Sequence, residues 1–263
     1  MTPFKIATFN ANSIRARLDQ ILDWLEREQP DVLCIQETKV QDSDFPREPI
    51  EAAGYTVAFA GQKAHAGVAT ISKQAPTVTQ AGFDDGADAP RLLYAQIANV
   101  HIVNTYVPQG REPDHSEFQR KLAWFHTFRA WLEARFTSAD PVIWLGDFNV
   151  APTDIDIHDP VALRNHVDFH PDAQAALEHV RAWGFIDVFR RHHPDEPNQY
   201  TYFDYRARNP IERNIGWRID HIWATPALAA TSTSSWIDLD ARRAERPSDH
   251  TLLVAEFALP DRP

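Results

Sequence analysis

The sequence predicts an α/β (α+β) fold, a four-layer sandwich of two packed mixed β-sheets flanked by helices. Strand-like and helix-like segments alternate, but some strands are separated only by hairpin-length spacings, as in residues 56–72 and 92–107. Several strands are apolar on both faces, as in VIWL at residues 142–145, which is typical of strands buried between layers. Together these features favour two packed sheets over a single doubly wound sheet.

The predicted strands are short runs in which apolar and β-branched residues dominate and which turn residues bound. They cover residues 5–10, 31–36, 56–60, 68–72, 92–97, 100–107, 142–145, 218–225 and 251–258.

Helices are predicted between these strands. Residues 14–25 carry apolar side chains at helical spacing, and Pro30 follows the end of that helix. The run DHSE at residues 114–117 has the pattern of a capping box that opens a long helix. Pro171 suits the first turn of a further helix, which Gly184 ends.

Length and composition limit the organisation of the chain. Its 263 residues are 43% hydrophobic, which is enough for one large core. No linker, low-complexity tract or repeat divides it, so we expect a single domain over residues 1–263. No run approaches the roughly 20 apolar residues of a membrane span, and no signal-peptide pattern precedes the first strand. With Cys34 as the only cysteine, a reducing cytoplasm is the expected location.

The formal net charge of −11 argues against a protein that coats nucleic acid by bulk charge. An enzyme that contacts a short stretch of nucleic-acid backbone would still need a local basic patch. Residues 205–218 are the candidate, because they hold four arginines against the single acid Glu212. These arginines are Arg206, Arg208, Arg213 and Arg218.

Polar side chains cluster at the ends of predicted strands. They are Asn10, Glu37, Asp147 with Asn149, Asp220, and Asp249 with His250. A carboxylate at a buried strand end is costly unless it is paired or binds a metal. Together these groups could hydrolyse a phosphate ester with a divalent metal and a positioned water. Oxygen ligands without a Cys or His cluster suit Mg²⁺ or Mn²⁺ better than Zn²⁺.

The same segments carry a family resemblance, in order and over nearly the whole chain. They are FNANSIRAR (9–17), PDVLCIQETK (30–39), GVA (67–69), YVPQG (106–110), GDFNV (146–150), GWRID (216–220) and SDH (248–250). The sequence resembles the exonuclease III / apurinic-apyrimidinic (AP) endonuclease family, within the endonuclease-exonuclease-phosphatase superfamily. Any one of these motifs is weak, but the complete set is a strong signal.

The resemblance implies a metal site and a phosphate site. Glu37 would be the main ligand of Mg²⁺, for which Mn²⁺ is an alternative, and Asn10 and Asp249 would lie close to the metal, directly or through water. The catalytic residues that it implies are Tyr106, Asp147, Asn149, Asp220 and His250. Among these, Asp147 would activate the attacking water, and His250 would sit at the scissile phosphate.

In the implied roles, Asp220 orients His250, whereas Asn149 and Tyr106 hydrogen-bond the phosphate oxygens. An in-line attack builds charge on these oxygens, which a metal, an imidazolium and neutral donors can stabilise. The expected products carry a 3′-hydroxyl and a 5′-phosphate.

The implied partner is double-stranded DNA with abasic sites, nicks or recessed 3′ ends, bound by a monomer. Tyr202, Trp217 and Ile219 would line a pocket for a flipped-out abasic sugar. Arg206 would lie in the minor groove and Arg111 near the major groove. Lys39, Lys63, Arg91 and Lys121 are weaker candidates for phosphate contacts.

Asp168 stands in a loop bordering this pocket, where many AP endonucleases have a small residue, often Gly. An anionic side chain there could narrow the pocket or repel a phosphate. We therefore expect reduced abasic endonuclease activity relative to 3′-end processing. His221 should point away from Asp220, to the opposite face of its strand, in a structural role.

The favoured function is a Mg²⁺-dependent DNA repair nuclease acting as a 3′–5′ exonuclease or 3′-end phosphodiesterase, an AP endonuclease, or both. The first alternative is a 3′-end exonuclease without AP endonuclease activity. A phosphatase or phosphodiesterase acting on a non-DNA substrate is a further alternative, and a binding module without chemistry is the last.

Overall fold

A computed structural model of the chain describes residues 2–259 and contains two six-stranded mixed sheets packed face to face. The first sheet holds β1 (Thr2–Asn10), β2 (Val32–Gln36), β3 (Thr56–Gly61), β4 (Gly67–Ser72), β11 (Ser232–Asp238) and β12 (Leu252–Leu259). Its strand order is β11-β12-β1-β2-β4-β3.

The second sheet also has six strands. It holds β5 (Val78–Ala81), β6 (Leu92–Ile97), β7 (Val100–Tyr106), β8 (Val142–Asp147), β9 (Ile186–Asp187) and β10 (Asp220–Ala224). Its strand order is β5-β6-β7-β8-β10-β9. Apolar side chains from both sheets, among them Ile6 and Ile143, form the core between them.

Helices connect the strands, and the longer ones cover the outer faces of both sheets. They are α1 (Leu18–Glu28), α2 (Arg47–Ala52), α3 (Ser116–Arg135), α4 (Pro171–Arg181), α5 (Val188–His192), α6 (Pro226–Ala229) and α7 (Asp240–Arg243), with 3₁₀ helices at Asp42–Asp44 and Asp154–Asp156. Trp24 of α1 packs on the first sheet, and Phe128 of α3 and Leu177 of α4 pack on the second. The predicted four-layer sandwich is thereby confirmed. In the described part of the chain, no helix is long and apolar enough to cross a membrane.

The predicted strands are all present, with ends shifted by a few residues, but β5, β9 and β11 were not predicted. All three lie at sheet edges. β9 has two residues, and β11 has the largely polar sequence STSSWID. An edge strand buries little of its surface, so its sequence carries a weak periodic signal.

Two predicted helix starts were wrong. The cap of α3 is His115 rather than Asp114, and its Nδ1 accepts the N–H of Glu117 at 3.0 Å. A histidine nitrogen can thus fill the role that Ser, Thr, Asp and Asn usually play. α1 begins at Leu18 rather than at residue 14, because residues 14–16 form a turn and Arg17, with φ −116° and ψ 10°, is not helical.

Strand register determines where the polar side chains meet. β1 and β2 are parallel, and so are β7 and β8, which pairs Tyr106 with Asp147. β10 runs antiparallel to β8 and places Asp220 opposite Asp147. Asn10 lies at the end of β1, in the other sheet, and its side chain reaches Asp147. Both sheets therefore supply residues to one edge of the sandwich.

Candidate active site

The centre of the candidate site is a buried line of two carboxylates and an imidazole. His250 Nδ1 lies 2.8 Å from Asp220 Oδ2, and His250 Nε2 lies 3.8 Å from Asp147 Oδ2. The main-chain N–H of Asp220 donates to the Thr201 hydroxyl, and that of His250 donates to the Ser248 hydroxyl. Register and hydrogen bonds thus orient all three side chains.

The charge states of this line follow from burial and proximity. Burial alone would lower the pKa of His250, but Asp220, Asp147 and Asp249 outweigh it and raise the pKa to about 10. Burial, with the nearby charges of Asp220 and Glu37, raises the pKa of Asp147 to about 8 although His250 opposes the shift. His250 is therefore an imidazolium at neutral pH.

Asp147, Asp220 and His250 could in principle hold a cation, since their ligand-type atoms lie within 4.8 Å of one another. His250 Nδ1 is already hydrogen-bonded to Asp220 Oδ2 at 2.8 Å, however, so a cation at Asp220 would have to compete with this contact. We refer to Asp147, His250 and Asp220 below as the relay.

A second carboxylate, Glu37, lies beside the relay and is linked to it by Asn10. The Asn10 Nδ2 donates to Glu37 Oε1 at 2.8 Å and to Asp147 Oδ2 at 2.9 Å. The Asn10 Oδ1 accepts the N–H of Asn12 at 3.0 Å. Asn10 thus aligns the two carboxylates, and its oxygen is engaged with the main chain.

The surroundings of Glu37 fit a hard divalent cation. Burial would raise the pKa of Glu37, but Lys39, the Asn10 hydrogen bond and His250 lower it, so the carboxylate is ionised. The Lys39 ammonium pairs with Glu37 Oε2 at 2.7 Å. Asp249 reaches the same region, where its Oδ1 accepts from Asn12 Nδ2 at 2.9 Å. Carboxylate and amide oxygens are the ligands that Mg²⁺ and Mn²⁺ prefer.

Tyr106 and Asn149 border the same space. Burial raises the pKa of Tyr106 well above its usual value, as do the charges of Glu37 and Asp147, so its hydroxyl is a neutral donor. Asn149 has a φ of 52° and donates its main-chain N–H to Asp147 Oδ1 at 2.9 Å. Its side-chain Nδ2 donates to the main-chain oxygen of Val107 at 2.8 Å. Asn149 thus holds the second oxygen of the Asp147 carboxylate.

The predicted pocket residues come together next to the relay. Trp217 and Ile219 belong to one apolar cluster, against which Tyr202 packs. The Tyr202 ring centroid lies 4.9 Å from that of His250. The His166 ring covers Trp217 at a centroid distance of 4.4 Å, so only 8% of Trp217 is exposed.

The predicted basic patch is only partly present. The side chain of Arg206 is 89% exposed and pairs with Asp204, and Arg111 is exposed in the loop after β7. Arg218 was wrongly included, because it is 1% exposed and its Nε lies 2.7 Å from Asp156 Oδ1. Arg218 Nη2 also pairs with Asp187 at 2.9 Å.

His221 has the structural role that was predicted. Its Nε2 donates to the main-chain oxygen of Val150, and its Nδ1 accepts from Arg218 Nη1, each at 3.0 Å. Burial and the Arg218 charge lower its pKa to about 4, so the ring is neutral.

Two further expectations require correction. Lys121 was a candidate phosphate contact, but its side chain is fully buried and its Nζ lies 3.0 Å from Asp168 Oδ1. Asp168 is therefore a paired carboxylate with 7% exposure rather than a free anion at the pocket. No pattern in the sequence indicated this pair, because its two residues are 47 positions apart and meet only in the folded chain.

Comparisons with known proteins agree with this geometry. Residues 7–250 match the model of the Endonuclease/Exonuclease/phosphatase family. The chain is 36% identical to exodeoxyribonuclease III of Haemophilus influenzae, over 96% of this chain and 99% of that protein. An AP endonuclease from Archaeoglobus fulgidus has a similar structure, with a TM-score of 0.96 and 45% identity over 97% of this chain and all of the other.

A third similar protein is the 3′ phosphatase NExo from Neisseria, solved with a product DNA hairpin. It matches with a TM-score of 0.92 and 33% identity, over 97% of this chain and 100% of its own. The family match covers most of the chain, and the relatives match over almost their full lengths. This chain therefore belongs to the endonuclease/exonuclease/phosphatase family, in its exodeoxyribonuclease III and AP endonuclease branch.

Proposed function

We propose that this chain is a metal-dependent DNA repair nuclease that hydrolyses phosphodiesters in duplex DNA. It acts as a 3′–5′ exonuclease and 3′-end phosphodiesterase, as an AP endonuclease, or as both. The observation that carries this proposal is the imidazolium of His250, held by Asp220 and facing Asp147 beside Glu37. The relatives are named exodeoxyribonuclease III, AP endonuclease and 3′ phosphatase, which supports the assignment.

In the proposed reaction, Asp147 accepts a proton from the attacking water, whose oxygen forms a bond to phosphorus. The bond from phosphorus to the 3′ oxygen breaks, and this oxygen takes up a proton from solvent water, which leaves a 3′-hydroxyl and a 5′-phosphate. His250, Tyr106 and Asn149 donate hydrogen bonds to the phosphate oxygens, where negative charge accumulates. Asp220 fixes the orientation of His250 and preserves its charge.

Glu37 is the proposed main metal ligand, with Asp249 and Asn10 close to the metal directly or through water, and Mg²⁺ is the proposed ion. When bound, the metal supplies positive charge that stabilises the phosphate and lowers the pKa of Asp147.

Replacing Glu37 with Gln should abolish most metal binding, because the amide keeps the shape but loses the charge. We expect metal affinity to fall by more than the roughly 10- to 100-fold that loss of a supporting partner costs. The measurement is the rise in melting temperature with added Mg²⁺ or Mn²⁺, alongside DNA cleavage. Glu51→Gln on exposed α2 is the control and should respond to metal like the parent chain. A Glu37→Gln variant with an unchanged response to metal would refute the ligand assignment.

Product analysis on one duplex with an internal abasic site and a recessed 3′ end tests the function directly. Mg²⁺-dependent shortening from the 3′ end would support the exonuclease, and incision at the abasic site would support the AP endonuclease. A chain that gave neither product but hydrolysed a soluble aryl phosphodiester would contradict the proposal.

Asp168→Gly tests the balance between the two activities. Removing this side chain beside the Trp217 cluster should raise abasic incision relative to 3′-end shortening. The ratio of the two products on the same duplex is the measurement, because a general loss of stability or of the shared base lowers both products together. Asp172→Gly at the start of α4, where the side chain is 65% exposed, is the control. An unchanged ratio in Asp168→Gly would contradict the proposal that Asp168 restricts abasic incision.

The substrate we propose is duplex DNA with abasic sites, nicks or recessed 3′ ends, contacted by Arg206 and Arg111 and by Tyr202, Trp217 and Ile219. Residues 1–263 would act as one domain, since both sheets contribute to one site, and we propose that this domain acts as a monomer. The cytoplasmic location expected from the lone Cys34 stays a prediction.

A further inference from the structure

Lys121 is a fully buried ammonium group on the first half of α3. Its Nζ lies 2.6 Å from the main-chain oxygen of Asn149, 3.0 Å from that of Val167 and 3.1 Å from that of Gln109. It also lies 3.0 Å from Asp168 Oδ1. A charge removed from water needs such partners, because an unpaired buried charge is costly.

The acceptors of Lys121 lie in three loops at the active-site edge. Gln109 lies three residues after Tyr106, and Asn149 lies two residues after Asp147. The third loop, with Val167 and Asp168, borders the Trp217 cluster and contains the His166 ring that covers Trp217. Lys121 thus connects three loops: the loop after Tyr106, the loop after Asp147, and the loop that borders the Trp217 cluster.

Packing around the Lys121 side chain is equally close. Gly110 has a φ of 98°, and a Cβ there would lie 2.8 Å from Val167 Cγ2 and 3.3 Å from Lys121 Cδ. The loop after β7 can approach the third loop this closely only because residue 110 lacks a side chain.

We propose that Lys121 is a positioning residue for DNA hydrolysis, with Asp168 as its counter-charge rather than a contact for DNA. The inference rests on the proposed roles of Asp147 and Asn149. The ammonium fixes the main chain of Asn149, whose N–H holds Asp147 Oδ1 at 2.9 Å. Displacement of that main chain would move the proposed base, and a misplacement of about 1 Å can cost about 10²-fold in rate.

The test compares Lys121→Met with the double variant Lys121→Met/Asp168→Asn. We measure melting temperature, and kcat and KM for 3′-end shortening of a duplex in Mg²⁺. In Lys121→Met, kcat should fall about 10- to 100-fold, with KM changed far less, since the displaced group acts in the chemical step. The melting temperature should also fall, because the buried Asp168 carboxylate loses its ammonium partner and keeps only the weaker contacts of its Oδ2 with Gln109 and His166.

The double variant separates positioning from stability. Neutralising Asp168 should recover much of the melting temperature, whereas kcat should stay low because the oxygens of Asn149 and Val167 still lack their donor. Should Lys121→Met fail to fold, the double variant alone carries the test. Leu132→Ala, at a fully buried position on the same helix, is the control and should lower the melting temperature without lowering kcat in the folded range.

Other outcomes would overturn the inference. Parent-like kcat in Lys121→Met, or kcat that recovers together with the melting temperature, would reduce Lys121 to a stabilising residue. A change confined to KM would make it a DNA contact. If the parent chain itself cleaved no DNA, the proposed function would fail instead, and the positioning role would fall with it.

Discussion

Replacing Asp147 with Asn is expected to lower kcat for DNA hydrolysis by about 10²- to 10⁴-fold, the usual contribution of a positioned general base. The amide cannot accept a proton from water. It also cannot satisfy both of its neighbours, because the N–H of Asn149 and the Nδ2 of Asn10 both donate to the carboxylate. If the new amide nitrogen faced Asn10, two N–H donors would point at each other. The hydrogen-bonded link through Asn10 to Glu37 would then be broken as well.

Single-turnover rates and the pH profile measure this effect. A base acts only when deprotonated, and the pKa of Asp147 is raised, so activity should rise with pH through that pKa. Saturating Mg²⁺ should move the rise to lower pH, since nearby positive charge favours the carboxylate. Asp147→Asn should lack this rise of activity with pH. Asp140→Asn, in the loop before β8, is the control and should keep it. A variant with the parent profile would exclude Asp147 as the base.

Replacing Arg218 with Met is expected to destabilise the fold by about 3–5 kcal/mol, the cost of removing one partner from a buried ion pair. Arg218 is 1% exposed and contacts Asp156 and Asp187, and its main-chain N–H donates to the oxygen of Asp156. Arg190 still pairs with Asp156 in the variant but cannot replace the contact with Asp187. This ion-pair network therefore ties the loop after β8 to β10.

Unfolding in urea at several pH values tests the Arg218 prediction. Burial would raise the pKa of Asp156, but Arg218 and Arg190 outweigh it and hold the pKa well below its usual range. A lowered folded-state pKa contributes stability above the unfolded pKa of about 3.9, and this stability is lost as the pH falls toward the folded pKa. The difference between parent and variant should thus be largest near neutral pH and narrow in acid. Arg47→Met, which removes an exposed pair with Glu51, should cost about 0.5 kcal/mol or less. Equal losses in the two variants would contradict the buried-pair account.

Strand ends were the most predictable part of this molecule. Tyr106 and Asp147 lie at the ends of predicted apolar strands, so a shared site at strand ends could be predicted, and the parallel pairing of β7 and β8 places them side by side. The two-sheet architecture followed from hairpin spacings and from strands apolar on both faces. The Asp220–His250 pair needed the family resemblance, because β10 and residue 250 meet only through tertiary packing.

Charged residues on buried surfaces were the least predictable. From the sequence, Arg218 and Lys121 were interpreted as basic residues available to DNA. In the structure both are buried and paired with acids distant in the sequence. In each case the acid that permits burial comes from another element. The edge strand β11 was not predicted because its sequence, STSSWID, is largely polar and shows little alternation of apolar and polar residues.

The hydrogen bonds of Asn10 span the boundary between the two sheets, joining Glu37 after β2 to Asp147 of β8. Neither half of the sandwich alone contains both the proposed metal ligand and the proposed base. Catalytic competence should therefore arise late in refolding, at the moment the halves dock, and a time course of recovered DNA cleavage would report that docking event rather than the earlier growth of secondary structure.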